Sequence, residues 1–193
     1  MPAATPPDPR PLTGEPLSLD LLNTRWMQDG AREDLLGGTG GLSAVDGLTV
    51  WLAANRLDGR FTADGRTLEH LLRARDALAG LVDLPGRPGG EPAAVARVDA
   101  VLAHGRIRAT LTPAGPGEEP EFEDPSWGPA WLAARDYLEL LTRAPDRIRG
   151  CAHDACVLHF FDTSRNGTRR WCSMAVCGNR AKASRHYARS REG

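Results

Sequence analysis

An α+β fold in two parts is what this 193-residue chain predicts: a mixed, largely helical N-terminal domain with few strands, followed by a small cysteine-centred finger. Three observations carry the prediction. Residues 17–146 combine helical apolar periodicity with short alternating runs. The chain's four cysteines fall in one C-terminal stretch, as Cys151-AHDA-Cys156 and Cys172-SMAV-Cys177. The charge also reverses between the parts. Residues 147–193 hold ten Arg and Lys against three acidic residues, a net +7; fourteen basic and twenty-two acidic residues remain in 1–146, a net −8 hidden beneath a total of −1.

Taken in order, residues 1–16 carry six of the fifteen prolines and are expected to be disordered. Leu17, Leu19 and Leu21 alternate with Ser18 and Asp20, which predicts a first strand. Residues 67–83 place Leu68, Leu71, Leu72, Leu78, Leu81 and Val82 on one helical face, with Thr67 as cap. A helix over 92–104 starts at Pro92, turns Val95, Val98, Val101 and Leu102 inward and stops at Gly105. The run Arg106–Thr112 alternates cleanly, turns at Gly115-Pro116-Gly117 and returns through Phe122 as a hairpin. A last helix, 127–143, offers Trp127, Trp131, Leu138 and Leu141 to the core. Trp51 and Trp131 are read as core, and the solitary His70 and His104 as surface or ordinary packing. The sequence has no internal repeat.

Two C-x4-C pairs read as a tetrahedral zinc site, because four thiolates satisfy the geometry and charge of Zn²⁺ in a closed structural centre. The competing readings are disulfides or a redox pair. Compartment separates them: the N-terminus has no apolar signal core and no run approaches membrane-spanning length, so a cytoplasmic protein with reduced thiols is expected. His153, His159 and His186 lie nearby, but Cys151, Cys156, Cys172 and Cys177 already complete the shell.

Between the pairs, bulky and β-branched residues flank Asn166-Gly167, the preferred pair of a type I′ turn, and residues 157–162 and 168–172 are read as a hairpin. After Cys177, alanines and arginines recur at helical spacing. The order is knuckle, β-hairpin, knuckle, helix, that of a treble-clef finger, with folding coupled to the metal. A compact basic segment is the electrostatic footprint of a nucleic-acid binder, DNA above all. The hairpin supplies Arg165, Arg169 and Arg170, and the helix supplies Arg180, Lys182, Arg185 and Arg189. The bland alternative is a solvated face or one docked on the acidic domain. Lys182 stands beside 23 arginines, so arginine abundance is partly compositional and only its clustering informs.

The run from Asp162 to Lys182, with Cys177-Gly178-Asn179-Arg180 at its end, resembles the CGNR zinc finger. In that family the four cysteines bind zinc, which maps onto the four here. His159 stands where an apolar or aromatic residue is expected, without consequence for the metal. Such fingers follow an N-terminal domain called ABATE in proteins regarded as stress-induced transcriptional regulators of bacteria. Upstream, Leu19–Arg25, Asp34-Leu-Leu and Leu48–Leu52 resemble the opening of that domain, so the resemblance covers residues 15–190. It implies a domain organisation of 17–146 and 147–193, and small-ligand sensing by the first part. Asn23, Thr24, Arg25 and Trp26 are the candidate ligand residues, against the reading of a capped strand end and a core tryptophan.

No phosphate loop, G-x-S-x-G elbow or H-E-x-x-H is present, and the expectation is a protein that is not an enzyme. A treble-clef nuclease using His153, His159, Asn166 and His186 is the one catalytic class considered. The function expected is DNA-binding transcription regulation, with a possible homodimer. The alternative is a zinc-dependent RNA- or protein-binding module.

Overall fold

The structure, a computed structural model, describes residues 5–82, 91–179 and 182. The N-terminal segment leads into helix α1 (Leu17–Leu22), a hairpin of β1 (Arg25–Gln28) and β2 (Ala31–Asp34), and helices α2 (Ala44–Ala54), α3 (Gly65–Val82) and α4 (Pro92–Leu102). A second hairpin follows, β3 (Gly105–Thr112) and β4 (Gly115–Phe122), then α5 (Gly128–Arg143) and the short pair β5 (Ile148–Gly150) and β6 (His159–Phe161). Each sheet is a two-stranded antiparallel pair, so the α+β class stands. Helices α3, α4 and α5 pack together and α1 lies on α5. They bury Leu71, Leu78, Val98, Val101 and Trp127 as the helical spacing predicts, but Val95 and Leu138, also expected inside, are exposed, and Ala133 and Tyr137 fill the inner face of α5. Trp51 and Trp131 are core residues, as expected.

The strand expected from Leu17 is helix α1 instead. The polar residues that produced the alternation are themselves buried: Ser18 donates from its N–H and Oγ to Asp136 Oδ2 on α5 (2.8 and 2.6 Å), and Asp20 Oδ1 accepts from Arg10 Nη1 (2.7 Å). With every side of this single turn enclosed, period two marks no solvent face. The same contacts revise the expected disorder of residues 1–16. Arg10 is buried against Asp20, and Gly14 N–H donates to Asp20 Oδ2 at 3.1 Å. Residues 1–4 lie outside the described part. Helix α3 is capped by Asp64, whose Oδ1 accepts from Thr67 N–H at 2.8 Å, so Thr67 receives the cap instead of providing it.

The hairpin expected between the cysteine pairs is also revised. The core of the 157–162 strand exists as β6, but it pairs with β5, ahead of the first cysteine, in the register Ile148↔Phe161 and Gly150↔His159. Residues 168–172 carry no strand. Asn166-Gly167 does turn, with Gly167 N–H donating to Ser164 O at 3.2 Å. Only Gly167 of the two has a positive φ, so the turn is not type I′. Asp162 explains the change: its Oδ1 accepts from Ser164 N–H (2.9 Å) and its Oδ2 from Arg169 N–H (3.0 Å), using donors that a strand ladder would need. The helix expected after Cys177 lies largely outside the described residues.

Arg75 of α3 binds three elements together. Its side chain is buried, with Nη1 donating to Thr24 Oγ1 (2.9 Å) and Asp34 Oδ1 (2.7 Å) and Nη2 to Asp34 Oδ2 (2.9 Å). Burial pushes the Asp34 carboxyl up, but Arg75 and then Arg25 outweigh it and hold the carboxyl below its usual range. Arg75→Ala removes one partner of a largely buried pair and is expected to cost about 3 kcal/mol in urea unfolding. A depressed carboxyl contributes stability above its unfolded pKa, about 3.9, and loses it as pH falls through the folded value. The gap between wild type and variant should therefore narrow below about pH 4.

Candidate metal centre

The cysteines reach one point from three pieces of backbone. Cys151 leaves β5 and donates its N–H to Leu158 O (2.9 Å), closing a loop in which Cys156 N–H donates to His153 O (2.8 Å). Cys172 donates its N–H to Cys151 Sγ at 3.4 Å. Cys177 rides a wide turn, Met174–Gly178, in which Gly178 N–H reaches back five residues to Ser173 O at 3.0 Å. Gly178 lies beneath the Met174 side chain, with Trp171 at van der Waals distance of where a Cβ would stand. Trp171 thus packs at the knuckle.

All four Sγ atoms lie within 4.8 Å of one another, with Cys156–Cys172 at 3.8 Å and Cys172–Cys177 at 3.6 Å. A tetrahedron with Zn–S bonds of about 2.3 Å has sulfur–sulfur edges of about 3.8 Å. The donor set fits one structural zinc ion. Cys172 and Cys177 are buried, while Cys151 and Cys156 are half-buried. His153 is half-buried, with Nδ1 accepting from Ala155 N–H at 3.2 Å; neither it nor His159 joins the cluster, and among the described residues no second group could share an ion. His186 lies outside them.

Four thiols this close cannot all ionise without a cation. A hydrogen bond from Cys172 draws the Cys156 thiol down to about 5. The same bond, with burial, drives Cys172 far above the ordinary thiol range, and burial pushes Cys177 up to about 12. Zinc binding must therefore displace the protons of Cys172 and Cys177.

The centre is seated on the first domain. Asn23, fully buried, donates from Nδ2 to His159 O and accepts at Oδ1 from His159 N–H, both at 2.8 Å, pairing with β6 as a neighbouring strand would. Glu15 accepts from Phe161 N–H (2.9 Å) and pairs with Arg169 Nη2 (3.1 Å). Arg169 also donates to Trp171 O (3.0 Å) and Cys172 O (2.5 Å) and lies 4.1 Å over the Phe160 ring. Leu158, Phe160, Phe161, Cys172 and Cys177 belong to the same apolar cluster as the helical core.

Among the predicted ligand residues, Asn23 and Thr24 are buried and hydrogen-bonded internally. Trp26 is buried, with Nε1 donating to Gln28 Oε1 at 3.2 Å, while Arg25 borders an interdomain cleft. Among the predicted nucleic-acid residues, Arg169 is a brace within the fold. Arg165, Arg170 and Lys182 are exposed, and Arg165 makes no ion pair among the described residues. Arg170 lies 5.3 Å from the Trp171 ring. Arg180, Arg185 and Arg189 are outside the described part. Sequence reasoning missed Glu15 and the organising role of Asp162, although Asp162-Thr-Ser164 carries the signal of a side chain that accepts two residues ahead.

Residues 147–190 match the family described as CGNR zinc finger, and residues 15–144 match the ABATE family, described as "Putative stress-induced transcription regulator". No curated protein matches the chain. Both descriptions concern a metal-bound finger and regulation, and neither names a reaction.

Metal analysis after exhaustive dialysis should find one zinc per chain and a loss of that zinc in Cys172→Ser. Competition against a chelator should show affinity falling with acidification, by about tenfold per pH unit for each proton displaced.

Proposed function

The chain belongs to the ABATE family, and we propose that it is a cytoplasmic, stress-linked transcription regulator that binds DNA through its CGNR finger. The observation behind this reading is a set of exposed cations, without ion pairs among the described residues, close in sequence to the cysteines of the metal centre. Arg165 and Arg170 leave the loop after β6, and Lys182 follows the second cysteine pair. Such side chains grip phosphates without reading sequence and, from a helix in the major groove, pair bidentately with guanine. In the sequence Lys182, Arg185 and Arg189 follow at spacings of three and four residues, which would set them on one face of the helix expected there, with Arg180 just ahead. A single small finger offers limited interface, so specificity is assigned to a homodimer on two half-sites.

The braces at Asn23, Glu15 and Arg169 favour regulation through the finger's seat over a finger that swings free of an acidic mask. Support comes from their position: they tie the base of the finger to α1 and the segment before it, while Arg165 and Arg170 remain exposed.

Selection from mixed genomic DNA and cellular RNA with the zinc-loaded chain tests this reading. A short DNA motif, repeated with two-fold symmetry, is expected; recovery of RNA, or of nothing above background, moves the finger to RNA or protein docking. On the selected site, replacing both Arg165 and Arg170 with alanine should lower affinity with zinc content unchanged. The slope of log K against log salt should shrink by about 0.9 for each phosphate that is no longer neutralised. Cys172→Ser should abolish binding.

A further inference from the structure

A cleft of about 350 Å³ opens where the two parts of the chain meet. Its first wall carries Arg25, Arg32 and Arg75; apolar surface comes from Leu22 and Ala79 on that side and from Val157 and Leu158 on the finger's side. Among the described residues no acidic side chain lines it. Arg75 and Arg25 are held from behind by Asp34, and Arg25 also by Asp76. Among the described residues two guanidinium groups on this wall are incompletely satisfied. Arg75 is buried and its enclosed Nε has no acceptor there, which is costly for a guanidinium removed from water. Arg32 is exposed and makes no ion pair among the described residues.

The geometry points to a binding site for a small organic carboxylate with an apolar body. A guanidinium fork matches a carboxylate's two oxygens, and the leucine, valine and alanine surfaces take the remainder. The volume suits a ligand of about ten to twenty heavy atoms. The finger's side of the cleft includes Cys151 and Cys156, whose zinc-bound thiolates are anionic. A dianionic phosphate is repelled there more than a single carboxylate, and its polar oxygens gain nothing from Leu22 and Val157. A bound carboxylate touches both parts of the chain at once, so it stabilises the seated finger. Any consequence for DNA rests on the regulatory reading above, whereas occupancy of the cleft does not.

Amide NMR of the zinc-loaded full chain, titrated with benzoate, tests the site without nucleic acid. Saturable shifts are expected around Arg32, Ala79, Val157 and Leu158, with a Kd of about a millimolar or tighter. Arg32→Gln, at an exposed position without an ion pair among the described residues, should keep zinc and fold while weakening benzoate by about tenfold or more. Val157→Phe should fill the cleft and remove binding. Absence of saturable shifts up to about 20 mM, equal binding of neutral benzamide, unchanged affinity in Arg32→Gln, or tighter binding of inorganic phosphate at these residues would each overturn the proposal.

Discussion

Four cysteine sulfurs confined within 4.8 Å impose the constraint on which the C-terminal part depends. Thiolates at that spacing repel one another, and thiols would leave a cluster of weak hydrogen bonds with nothing to fix its shape. A bound zinc ion converts the repulsion into four bonds, an apparent stabilisation of about 10–16 kcal/mol in zinc-finger peptides at neutral pH. The surrounding secondary structure could not supply this. Strands β5 and β6 have three residues each, and Cys177 sits on a single wide turn.

Zinc does not act alone, because the finger's inner face continues the apolar core of the helices. The amide of Asn23 substitutes for a strand edge beside His159, and Glu15 ties both the backbone of Phe161 and the guanidinium of Arg169. Arg169 in turn holds the carbonyl of Cys172. A chain of short contacts thus runs from α1 and the segment before it to a metal ligand. The cleft bordered by Arg25, Arg32 and Arg75 lies along the same junction.

The parts of this arrangement legible in the sequence are those with a strong local signature. The cysteine spacing identified the metal centre, helices α3, α4 and α5 followed from apolar periodicity over several turns, and β3–β4 from alternation about a glycine-rich turn. Other elements depended on distant partners. Helix α1 is one buried turn whose Ser18 and Asp20 find Asp136 and Arg10. Arg75 reads as an exposed residue of a helix until Asp34, 41 positions earlier, is placed beside it. The β1–β2 hairpin had a legible sign in Asp29-Gly30, both at positive φ, but its strands do not alternate in a way that marks an inner face. The pairing of β6 with β5 was hidden because Asp162 redirects the chain toward a loop.

The central claim, that zinc centre and first domain form one energetically coupled unit, is tested most directly by the zinc affinity of Asn23→Ala against wild type. Chelator competition should be read only where helical circular dichroism shows the first domain intact. Asn23 is no ligand, so an isolated finger would be indifferent to it. The coupled account predicts a loss of about tenfold or more in affinity, the equivalent of the two hydrogen bonds to His159. Equal affinity in the two proteins, with the fold preserved, would contradict it.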